Sequence, residues 1–97
     1  MSPADVSAAL TIAEDEYLAA ARALVDAEAA RIVLSRVERD AYLAGDVITR
    51  DAERLAACTI VAVRDADDAA GATSRALARS RVDWLRAMAE EQFEAEK

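Results

Sequence analysis

The chain reads as an all-α protein: an antiparallel hairpin of two long helices, with coiled-coil-like spacing and a tendency to assemble into a dimeric four-helix bundle or a higher oligomer. Three observations predict this. Alanine supplies 26 of 97 residues while glycine supplies two and proline one, a composition that suits long helices rather than sheet or disorder. Apolar residues recur at threes and fours through both halves of the chain, which gathers them on one helical face. The strongest turn signal, Gly45-Asp46, falls near the middle.

Helix 1 is expected over about 3–44. Ser2 can cap it, Pro3 suits the first helical position because its missing N–H has no intrahelical partner there, and Asp5 lies near the positive end of the helix dipole. Its apolar seam runs through Val6, Leu10, Ala13, Tyr17, Ala20, Leu24 and Ala27, then on through Ala30, Leu34, Val37, Ala41 and Ala44. Gly45 can take the left-handed conformation that ends a helix, and a turn is expected over 45–49.

Thr49 followed by Arg-Asp-Ala-Glu is the signature of a second cap and an acidic first turn. Helix 2, about 50–95, carries its seam through Ala52, Leu55, Thr59, Ala62, Ala66 and Ala70, then Thr73, Leu77, Trp84 and Met88. Val63, Val82, Leu85 and Phe93 widen it. The period persists through Gly71, so a continuous or mildly kinked helix is expected, with a restart near Ser74 as the alternative. A link of about four residues forces two helices, each roughly 60 Å long, to lie side by side in one domain spanning 1–97. Residue i of the first then faces roughly residue 94 − i of the second. Leu10 meets Trp84, Tyr17 meets Leu77, Leu24 sits over Ala70, and Val37 lies by Ala57.

A second stripe, Leu18, Val25 and Ile32, recurs every seven residues beside the first seam, and Ile60 and Val61 leave further apolar surface on helix 2. A two-helix hairpin leaves both uncovered, so these five residues are the expected interface for self-association. The competing expectation is that they pack against a third helix.

Nineteen acidic residues against twelve basic ones give a formal net charge of −7, which disfavours direct binding to nucleic acid or to anionic lipid and leaves a basic protein surface open as a partner. No apolar run approaches a membrane span, and neither a signal peptide nor a disulfide framework is visible, Cys58 being the single cysteine. A bacterial cytoplasm is the expected setting, with eleven of the twelve cations being arginine and pointing to a GC-rich bacterial or phage source.

The chain lacks histidine altogether, which removes His-based general base catalysis, Ser-His-Asp triads and the Glu-x-x-His pairs of di-iron bundles. With glycine only at 45 and 71, no phosphate-cradling loop can form. No catalytic, cofactor-binding or metal residues are expected. In the hairpin register Asp26 and Glu28 approach Asp65, Asp67 and Asp68, an acidic patch read first as a solvated charged face. It serves secondly as a docking site for a basic protein, and thirdly as a hard-metal site. The same patch supports an alternative function, an acidic imitation of nucleic acid that blocks a DNA-binding protein. A carboxylate-metal helical enzyme is the remaining alternative.

The segment Arg36-Val-Glu-Arg-Asp-Ala-Tyr-Leu-Ala-Gly-Asp-Val-Ile-Thr-Arg-Asp-Ala-Glu-Arg54, a helix ending in Tyr-Leu-Ala-Gly and restarting at Thr49, resembles small uncharacterised helical-hairpin proteins of bacteriophages and prophages. That resemblance implies a hairpin fold and a phage accessory role through protein interaction. It implies no particular activity.

Overall fold

The computed structural model describes residues 2–47 and 49–96. Two α-helices account for nearly all of them, α1 (Pro3–Leu43) and α2 (Arg50–Ala95), and they pack against each other as a hairpin measuring 78 × 17 × 14 Å.

Each helix end is set by local chemistry. At the start of α1 the Ser2 hydroxyl accepts from the Asp5 N–H at 3.2 Å and the Asp5 carboxylate accepts from the Ser2 N–H at 3.3 Å, so two otherwise unpaired donors are satisfied reciprocally. The Asp5 carboxyl is held below its ordinary pKa, first by hydrogen bonding with the Ser2 side chain and then with its backbone. At the other end Gly45 adopts φ +77. Its N–H donates to the Tyr42 carbonyl at 3.1 Å and the Asp46 N–H donates to the Ala41 carbonyl at 2.9 Å, the paired bonds of a Schellman termination. α2 then starts at the cap Thr49, whose hydroxyl accepts from the Ala52 N–H at 3.1 Å, with Asp51 and Glu53 in the first turn. It continues for 46 residues straight through Gly71, so the restart near Ser74 does not occur.

The seam that the helices bury follows a strict alternation of four and three residues. On α1 the inward positions are Val6, Leu10, Ala13, Tyr17, Ala20, Leu24 and Ala27, resuming at Leu34, Glu38 and Ala41. On α2 they are Ala52, Ala56, Thr59, Val63, Ala66 and Ala70, then Thr73, Leu77, Ser80, Trp84 and Ala87. A repeat of 3.5 residues is that of a left-handed supercoil. The expected seam therefore needs correction in two stretches. Ala30, Val37 and Ala44 on α1, and Leu55 and Ala62 on α2, are exposed; Glu38, Ala56 and Val63 take the inward places instead. Strict alternation outweighs the greater hydrophobicity of Val37 over Glu38, because the two helices stay in contact only along one continuous line.

Across the seam, large residues of α1 meet small ones of α2 over much of the length. The threonines on α2 cost little there, since their hydroxyls donate within the helix: Thr59 to the Ala56 carbonyl at 2.8 Å, and Thr73 to the Ala69 and Ala70 carbonyls at 2.8 and 3.1 Å. The resulting core is slight. Among the described residues only Val6 and Leu77 are buried, at 6 % and 5 % exposure, and no side chain is fully enclosed. The chain exposes 7491 Å², whereas a compact protein of 10.4 kDa exposes about 5,400 Å².

Candidate interaction surfaces

Residues seven apart stay on one flank of a helix wound at this repeat, so each side of the hairpin can be followed from a few residues that demonstrably meet. On one side Leu10 and Glu14 of α1 gather with Arg81, Trp84 and Leu85 of α2 around a shared depression. This places Leu10 beside Trp84, as the register predicts, and brings Glu14 to Arg81. On the opposite side Ala30, Val33, Leu34 and Val37 of α1 form an open apolar groove with Leu55 and Thr59 of α2.

The first side carries most of the expected interface. Leu18, Val25 and Ile32 succeed one another along α1 on the flank of Glu14, with exposures of 64 %, 63 % and 47 %. Ile60 lies three heptads before Arg81 and so shares that side of α2, with 54 % exposed. Val61 is also half exposed, but one position further round, on the outer back of α2 with Val82. The structure thus brings four of the five residues to one side and leaves Val61 apart. Charges on this side are mixed: Glu14 and Arg81 share one level, and Glu28, Arg64 and Asp67 another.

The expected acidic patch divides in the same way. Asp26 and Asp65 fall on the groove side, Glu28 and Asp67 on the first side, and Asp68 on the outer back of α2. Among the described residues no three Asp, Glu or Cys side chains converge to hold a metal ion. The reason is helical geometry: residues one and two apart in sequence, such as Asp67 with Asp68 or Asp26 with Glu28, project in different directions.

Ala30, Val37 and Leu55, expected on the seam, line this apolar groove instead. Val33, Val37 and Leu55 are 61 %, 58 % and 56 % exposed. Cys58 is free and exposed beside them. Tyr17 and Trp84 are half-buried on the seam as expected. No helix among the described residues is long and apolar enough to cross a membrane. Comparison with protein families, characterised proteins and solved structures finds no significant match to the chain.

Proposed function

We propose that this chain is a non-enzymatic, self-associating building block, two hairpins joining through the side that bears Leu18, Val25, Ile32 and Ile60 to make a four-helix bundle that acts by binding other proteins. The observation that carries the reading is surface. The hairpin exposes roughly 2,000 Å² more than a compact chain of its mass, and that excess is of the size an obligate dimer removes from water. The first side suits a second copy because its charges are of both signs at each level, so apposed copies set Glu14 and Glu28 near arginines. A phage or prophage accessory role belongs to the same proposal. It is supported by the resemblance of the Arg36–Arg54 segment and by the arginine-rich composition.

Light scattering coupled to size exclusion at micromolar concentration tests this. The expected mass is twice the chain's 10.4 kDa, returning to a single chain in the variant Leu18→Asp/Val25→Asp. A wild-type chain that runs as a strict monomer refutes the proposal.

A further inference from the structure

The groove on the second side carries charge of one sign. Asp26 and Asp40 lie one heptad before and after Val33 on α1, and Asp51 and Asp65 stand on the matching flank of α2; all four are exposed. Between Asp26 and Asp40, and between Asp51 and Asp65, every position on this side is alanine, valine, leucine or cysteine. Asp26 and Asp65 therefore stand at one end of an apolar trough and Asp40 and Asp51 at the other, about 21 Å away along the helices. The arginines of these two stretches lie elsewhere: Arg31, Arg39 and Arg64 project toward the first side, and Arg36 and Arg54 occupy the outer backs of the helices.

The contrast with the first side decides what fits. On that side Glu14 lies near Arg81, and Glu28 near Arg64, charges of both signs that a second copy can answer. In the groove a copy brought face to face at the same level gathers eight carboxylates, and no surface of the chain supplies cations alone around an apolar ridge. The outer surface at Val82 has Asp83 set between Arg79 and Arg86, and Leu85 beside it faces the first side with Leu10 and Glu14. The shape of the groove suits a helix. Leu34 and Thr59 form its floor, Ala30 and Val37 one wall and Leu55 the other. A trough about 21 Å long takes about four helical turns, entered by apolar side chains at i, i+3 or i+4, and i+7.

We infer that this groove binds an amphipathic helix of another protein, about four turns long, with an aliphatic ridge and a lysine or arginine on each flank near both ends. The ridge covers Val33, Val37 and Leu55, and the cations stand against Asp26, Asp40, Asp51 and Asp65, where positive charge meets a wholly negative rim. The inference goes beyond the self-association reading and does not depend on it. The groove lies on the side opposite the one that pairs two copies, so a dimer presents two grooves and keeps its own contact when both are filled.

Fluorescence anisotropy at about 0.15 M salt, where charges more than about 8 Å apart are largely screened, tests it with a labelled synthetic helix of about 18 residues, about 27 Å long. The helix has leucines along one ridge and lysines on both flanks. Two control helices carry the same lysines with glutamine in place of leucine, or the same leucines with glutamate in place of lysine. The leucine-lysine helix is expected to bind saturably, one per chain, and each control about tenfold more weakly or worse. Asp26→Lys/Asp65→Lys and Val33→Gln/Val37→Gln should each weaken binding about tenfold or more. Asp15→Lys/Asp68→Lys makes the same change of charge on the outer backs and should stay within about threefold. All six positions are exposed, and circular dichroism checks that helicity is kept. A control helix that binds as well, a groove variant that binds like wild type, or an outer-back variant weakened as much as the groove variants overturns the inference. Light scattering on the saturated complex separates it from the dimer reading, with two chains and two helices expected. One chain with one helix, from a chain that is also monomeric alone, refutes the dimer and leaves the groove standing. A dimer that takes up no helix overturns the groove alone, and a dimer that dissociates as the helix binds puts a second copy in the groove and overturns the inference.

Discussion

Gly71 stands in the interior of a 46-residue helix with no structural demand for glycine: its backbone is helical, and a Cβ placed there meets only the Arg75 Nη1 at 3.5 Å, an ordinary contact. Gly71→Ala therefore removes backbone freedom from the unfolded chain and adds nothing the fold must move to accept. The expected gain is about 0.8–1 kcal/mol. Gly45 presents the opposite case. A Cβ there meets nothing within 4 Å, but φ is +77, so Gly45→Ala costs about 1–2 kcal/mol in backbone strain alone. At roughly 4–8 °C per kcal/mol for a chain of this size, thermal unfolding followed by circular dichroism at 222 nm should place the two alanine variants at least about 7 °C apart, on opposite sides of wild type. Chain concentration must be held fixed, because association shifts the midpoint. A Gly71→Ala variant that melts below wild type defeats the reasoning from the isolated hairpin, and it would mean that another surface approaches the bare backbone at that point.

Leu77→Ala should cost about 2–4 kcal/mol, since Leu77 is one of two buried residues among those described and the small seam of α2 cannot close the void; urea titration should show an earlier midpoint or outright loss of the cooperative transition. Thr49→Ala removes the acceptor for the Ala52 N–H and should cost about 1 kcal/mol in the same assay. Because the folded pKa of Asp5 is lowered by Ser2, its contribution to stability is complete above the unfolded value and is lost as pH falls through the folded one. Carbon-detected titration should therefore find the Asp5 midpoint moving up toward its ordinary value in Ser2→Ala, and an unchanged midpoint would contradict the capping box.

The parts of the fold that sequence revealed are those written in short-range chemistry. Ser2-Pro3-Ala4-Asp5, Gly45 and Thr49 each fix a helix end through bonds spanning a few residues, and the short link between them leaves little choice of register. The seam was legible where bulky residues punctuate it, as from Val6 to Leu24. It fails at Ala30, Val37 and Ala44 and again at Leu55 and Ala62, though Leu34, Ala41 and Thr59 between them are inward as expected; in these stretches hydrophobicity ranks several stripes almost equally. There Val37, one step from the true line, outranks the half-buried Glu38 in hydrophobicity and yet is exposed. The same ambiguity hides the groove, because Ala30, Val37 and Leu55 have the spacing of seam residues. The exposed Leu18, Val25 and Ile32 stripe survived because its seven-residue spacing is set by large side chains, whereas the acidic patch was drawn from sequence proximity and came apart once each carboxylate acquired a direction.

The near-flat inner surface of α2, alanine and threonine for most of its length, offers few obstacles to shear along the long axis of the molecule. Sliding by one turn would trade one shallow fit for another of similar depth. The tether at Gly45 is then what selects a single alignment, and severing it should yield two peptides that recombine as a mixture of staggered pairs.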